Sequence, residues 1–121
     1  MKLQNQEAYA VSYDKLISSG RHPIDVTVID VESGQGILKR GTVLSHVVTE
    51  AFDGYRVLGT DKTDAKFIVT DDTDTTSDDS TVQVTVYKSG EFNADALIAD
   101  ENYEIPASVY ENLRHVGIFV N

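Results

Sequence analysis

The last third of the chain constrains the fold more than any other part. Between Thr81 and Lys88 every second residue is valine, at Val82, Val84 and Val86. A period of two built from β-branched residues marks a strand with one buried face. Ser89-Gly90 follows and predicts a sharp turn, with Gly90 free to take a positive φ. Phe92 is a candidate core anchor, and Asn93 can cap the short apolar run from Ala94 to Ala99. Residues 106–116 form the best helix candidate, opened by Pro106. Val109, Leu113 and Val116 recur at i, i+4 and i+7 and make one apolar stripe. Gly117 then permits an exit into Ile118-Phe119-Val120. This pattern puts Leu113 in the core and Phe119 either in the subunit interior or at a subunit contact.

The upstream sequence adds further strands. Asp25 to Val31 reads as one, with Val26, Val28 and Asp30 on a common face. Glu32 to Gly36 is a turn with two glycines. Ile37-Leu38 and the β-branched run Thr42 to Val48 come next. Phe52-Asp53-Gly54-Tyr55 predicts a turn ahead of a strand from Tyr55 to Leu58, and Ala65 to Thr70 predicts another. About six short strands with one or two helices imply one small, β-rich α+β domain. Residues 24–121 form that domain, and residues 1–23 read as a flexible N-terminal arm. Within the arm Tyr9, Val11 and Tyr13 alternate like a strand. Leu16 and Ile17 break the alternation and leave a short helical turn open. Ser19-Gly20 and His22-Pro23 are breakers. Alternating tyrosines and apolar residues suit pairing with a partner's strand, so Tyr9, Val11, Tyr13, Leu16 and Ile17 are the candidate binding residues. A frayed terminus is the plain alternative.

At 121 residues the chain is one domain, large enough to bury roughly two thirds of its unfolded surface. It has no cysteine, which excludes disulfides, thiolate metal sites and a cysteine nucleophile. No apolar run is long enough to span a bilayer, and the polar start MKLQNQEAYA does not have the form of a signal peptide. The net charge of −10 is uneven. Residues 50–104 carry fourteen acidic and four basic side chains, and the two flanking regions balance. So acidic a middle repels nucleic-acid phosphates and anionic membranes, so neither is an expected partner.

The densest acidic stretch is DDTDTTSDDS, residues 71–80. Asp72, Asp74 and Asp78 offer carboxylates at spacings of two and four, a pattern calcium can use. A calcium-dependent extracellular binding module using residues 71–79 is therefore the alternative functional reading. Against it, Ser77 stands where a helix-loop-helix calcium site needs glycine, and Gln83 where it needs glutamate. A bare hairpin loop of aspartates repels itself, so without a cation it is expected to be mobile. His22, His46 and His115 are scattered, with no ligand spacing for zinc. No nucleophile elbow or glycine-rich phosphate loop is present. No catalytic set and no cofactor are expected.

Three segments resemble tailed-phage head decoration proteins of the lambda type. The first is SGQGILKRGTVLSHVV, residues 33–48, which contains the (K/R)-x-G-T-V-L pattern of that family. The second is YKSGEFNADAL, residues 87–97, matching its Y-K-S-G turn and G-x-F-N-x-x-A-L. The third is LRHVGIFV, residues 113–120, matching L-R-x-x-G-I-x-V. The resemblance implies a compact β-tulip-like subunit and a structural rather than catalytic role. It implies binding to the major capsid protein on the outer surface of the expanded phage head, as a homotrimer or three copies at three-fold positions. It also implies stabilisation of that head and a place in the virion after synthesis in the host cytoplasm.

Overall fold

The computed structural model describes residues 15–60 and 63–121. Its strands are β1 (Ile17–Ser19), β2 (Asp25–Glu32), β3 (Ile37–Leu38), β4 (Val43–Val48), β5 (Asp53–Val57), β6 (Ala65–Val69), β7 (Thr73–Asp74), β8 (Thr81–Phe92) and β9 (Ile118–Val120). A 3₁₀ turn spans Ala94–Ala96, and the helix α1 spans Ala107–His115. The β-rich α+β reading is borne out. Five strands lie in the order β8-β2-β5-β4-β6, and β6 pairs back onto β8, closing a barrel. All of these pairings are antiparallel except β2 with β5, which touch in parallel at Val31 and Tyr55.

Strands β4 and β6 are buried on both faces, and this divides the interior in two. Val31, Leu44, Val69, Val84 and Val86 fill the barrel, with Leu38 joining them from β3. Val43 and Ile68 face the other way, into a second core with Leu58, Tyr87, Phe92, Val109, Leu113 and Ile118. The valine alternation of β8 therefore sends Val84 and Val86 into the barrel, while the stripe of α1 packs on its outside. Pro106 occupies the N-cap of α1 with φ −79° and ψ 163°, an extended entry the proline ring accommodates. Gly117 leaves the helix at φ +95°, the left-handed exit expected of it.

Four expectations are corrected. The chain does not turn at Ser89-Gly90; β8 runs straight through to Phe92. What changes there is its partner. Up to Ser89 it pairs with β2, and from Gly90 to Phe92 it pairs with β9 on one side and β1 on the other. Gly90 does adopt a positive φ, +141°, and Lys88, two residues before it, is the residue left unpaired at the register shift between Asp25 and Val26. The second correction concerns Leu16 and Ile17, expected in the arm. Leu16 is 1 % exposed inside the second core, and Ile17 is paired with Phe92. The folded body thus begins before residue 24. Tyr9, Val11 and Tyr13 lie outside the described residues.

The third correction moves a turn. Thr49 and Phe52 exchange backbone hydrogen bonds, so the reversal is there, and Asp53-Gly54 already belong to β5. The fourth concerns the aspartate stretch. Thr73-Asp74 pair with Ile37-Leu38, and Thr75 is fully buried. Its hydroxyl donates to the Gly36 carbonyl at 2.6 Å and accepts from the Gln35 N–H at 2.9 Å. These bonds sew the stretch to the turn at residues 33–36.

Candidate interaction surfaces

The corner where β1, β8 and β9 meet concentrates the polar chemistry. Glu91, between Gly90 and Phe92, has a side chain only 2 % exposed. Its Oε1 accepts from the exposed Arg21 guanidinium at 2.8 Å and from the Asn121 side-chain amide at 3.2 Å. Its Oε2 faces His22 Nε2 at 3.3 Å but has no formed hydrogen bond among the described residues. The hydrogen bonds from Arg21 and then Asn121 hold the Glu91 carboxyl below its ordinary range, against the opposing effect of desolvation. The carboxylate thereby pins the link between β1 and β2 to the end of β8. His22 in turn stacks on Phe119, with ring centroids 4.1 Å apart and planes 21° apart.

Phe119 is therefore half-buried at this corner. With Tyr110, Arg114 and Asn121 it lines an open cleft of about 300 Å³. The root of the N-terminal segment is fixed beside it. The Asn93 backbone N–H donates to the Leu16 carbonyl at 2.8 Å, and its side-chain amide donates to the Lys15 carbonyl. Asn93 occupies the N-cap of the 3₁₀ turn as expected, yet its side chain makes no capping bond there and instead donates its amide to Lys15.

The remaining candidates do not converge. His46 pairs with Asp53 at 2.8 Å on the exposed side of β4 and β5, and His22 is engaged as described. No group of three or more His, Asp or Glu side chains is placed to hold a metal among the described residues. In the aspartate stretch, Asp72 accepts from the Arg40 N–H at 2.8 Å and Asp74 from the Thr76 N–H at 2.9 Å. The Thr76 bonds hold the Asp74 carboxyl below its usual range. Both carboxylates are thus engaged by backbone N–H groups, Asp72 by that of Arg40 and Asp74 by that of Thr76. Calcium is accordingly expected to leave the melting temperature unchanged. A site held ~100-fold above its dissociation constant would add about 2.7 kcal/mol and raise the midpoint by several degrees. Such a rise, abolished by Asp72→Asn with Asp74→Asn, would restore the calcium reading.

Sequence reasoning did not single out Glu91 or Arg21. A lone glutamate within a strand reads as an outward-facing residue. The one local hint is its place between Gly90 and Phe92, where the chain leaves one sheet for another.

The barrel and its polar corner define a small β-barrel protein with the helix α1 packed on the outside. Among the described residues no helix is long and apolar enough to cross a membrane. The family model of the bacteriophage lambda head decoration protein D matches residues 5–115, nearly the whole chain, and the chain belongs to that family. It is a phage head decoration protein, a structural component associated with the virion capsid. No curated protein matches the chain. The family read from residues 33–48, 87–97 and 113–120 is thus borne out.

Proposed function

We propose that this protein binds the outer surface of the expanded head at three-fold positions, as three copies, and stabilises the expanded lattice. The shell partner is the major capsid protein. Only the expanded lattice presents the complete site, so binding favours that state over its alternatives by mass action. The observation that carries this reading is the family match over residues 5–115. The acidic middle of the chain supports the outer face, away from packaged nucleic acid.

Two surfaces take named roles in this proposal. The first is the segment up to residue 14, joined to the body at Lys15, where Asn93 grips the chain. Tyr9, Val11 and Tyr13, which alternate along the sequence, supply the strand added to a capsid edge. Fixing about ten residues there costs on the order of 10 kcal/mol of backbone entropy, so the segment must gain both hydrogen bonds and apolar contacts. The second is Phe119, half-buried beside the cleft, which contacts a neighbouring copy.

The test is to mix the purified protein with expanded, undecorated heads and image the occupancy of three-fold positions. A chain lacking residues 2–14 is expected to melt like the full chain and bind heads more weakly. Undiminished binding by the shortened chain would remove the arm from the proposal, and absence of the full chain from three-fold positions would remove the proposal itself.

A further inference from the structure

Strand β2 is incompletely paired. One side is bonded to β8 along its whole length, from Asp25 opposite Ser89 to Glu32 opposite Thr81. The other side meets β5 only at Val31. Residues 25–30 therefore present a backbone edge with no strand partner among the described residues. Along this edge Ile24, Val26 and Val28 are 44 %, 50 % and 55 % exposed. An open edge carrying exposed β-branched side chains is the kind that proteins normally blunt with lysine, proline or a covering element. Here a proline, Pro23, stands only ahead of the edge, and the charges along it are Asp25 and Asp30, of which Asp25 is paired with Lys88 at 3.4 Å. Such a row of bonding groups and apolar side chains is what an added strand uses.

A second copy is a poor occupant. In antiparallel pairing of two β2 edges, opposed residues share a face, so Asp30 of one copy falls against Ile24, Val26, Val28 or Asp30 of the other, depending on register. The first three desolvate a carboxylate beside an aliphatic chain, and the last opposes two like charges. The complementary occupant is an extended segment that is apolar at alternate positions and carries a lysine or arginine beside Asp30. We infer that the free edge of β2, residues 24–30, takes such a strand from the shell protein of the head. The contact is separate from the N-terminal segment and from Phe119. This inference rests on the head-binding function proposed above.

The experiment compares wild type, Val28→Gln, Val28→Lys and Ile37→Lys for binding to expanded, undecorated heads. Val28 is exposed, so its variants should melt like wild type. Val28→Lys is expected to weaken binding by on the order of tenfold, and Val28→Gln by less, because only lysine repels a basic strand. Ile37, also exposed but on β3, serves as the control and should bind normally as lysine. Hydrogen exchange supplies a second readout on the unaltered full chain. Outward-facing amides of residues 25–30 should exchange fast in free protein and slow by on the order of tenfold or more on heads. Equal binding by wild type and Val28→Lys would overturn the inference while leaving head binding intact. So would Val28→Lys binding better than Val28→Gln, the result expected if the acidic edge of a second copy were the occupant. Equal loss in Ile37→Lys would reduce the effect to a general charge response. Slow exchange already present in the free chain would show the edge covered by the protein itself. Failure of wild type to bind heads at all would instead sink the head-binding function.

Discussion

Replacing Phe92 by alanine is expected to lower the unfolding free energy by about 3–5 kcal/mol. Phe92 is fully buried where β1, β8 and β9 come together. Its ring lies 5.3 Å from that of Tyr87, and its backbone carbonyl receives the Asn121 N–H at 2.9 Å. Removing the ring opens a cavity under α1 that neither neighbouring strand can close, because both are bonded to β8. Leu113→Ala, in the same core with Val109, is expected to cost roughly 2–5 kcal/mol. Each loss is a large share of the 5–15 kcal/mol typical of a folded domain. Urea unfolding measures both. A Phe92→Ala loss below about 1 kcal/mol would mean that the corner collapses around the gap and that this core is not close-packed.

Gly41→Ala should be nearly as damaging, for a different reason. Gly41 has φ +97°, and a β-carbon placed on it would lie 2.6 Å from the Ala96 carbonyl oxygen. That oxygen belongs to backbone and cannot swing away. The surrounding chain is bonded on both sides, by Gly41 N–H to the Val69 carbonyl and by Ile98 N–H to the Gly41 carbonyl. The left-handed conformation alone costs an alanine about 1–3 kcal/mol, and the carbonyl must also shift. Gly34 is the internal control. It has φ +80° with nothing within 4 Å of an added β-carbon, so Gly34→Ala carries only the conformational part. Equal melting temperatures for the two variants would show that the close approach of residues 41 and 96 is not a constraint.

Legibility followed the range of the interactions. The helix stripe of Val109, Leu113 and Val116 and the valine alternation of β8 were readable because periodicity is a local property. Leu113, Val109 and Phe92 are core residues as expected. Turn chemistry was read well where backbone conformation demanded glycine, as at residues 34, 36 and 117. It misled at Ser89-Gly90, because a positive φ there serves a change of partner strands rather than a reversal. The turn at residues 52–55 was misplaced because Asp53-Gly54, a turn pair by composition, is held in a strand by β4.

By itself, then, the sequence determined a small β-rich domain, its helix, and its membership of the head decoration family, since period, glycine placement and motif order are all written along the chain. Tertiary structure alone decided that Leu16 belongs to the core, that Thr75 anchors the aspartate stretch, that Glu91 is buried under Arg21, and that among the described residues β2 keeps an open edge. Each of these depends on partners far away in the chain: Asn93 for Leu16, Gly36 for Thr75, Arg21 for Glu91, and for β2 the strand β5, which meets it at Val31. Such pairings arise only when the barrel closes, because no local pattern states which strand lies beside which.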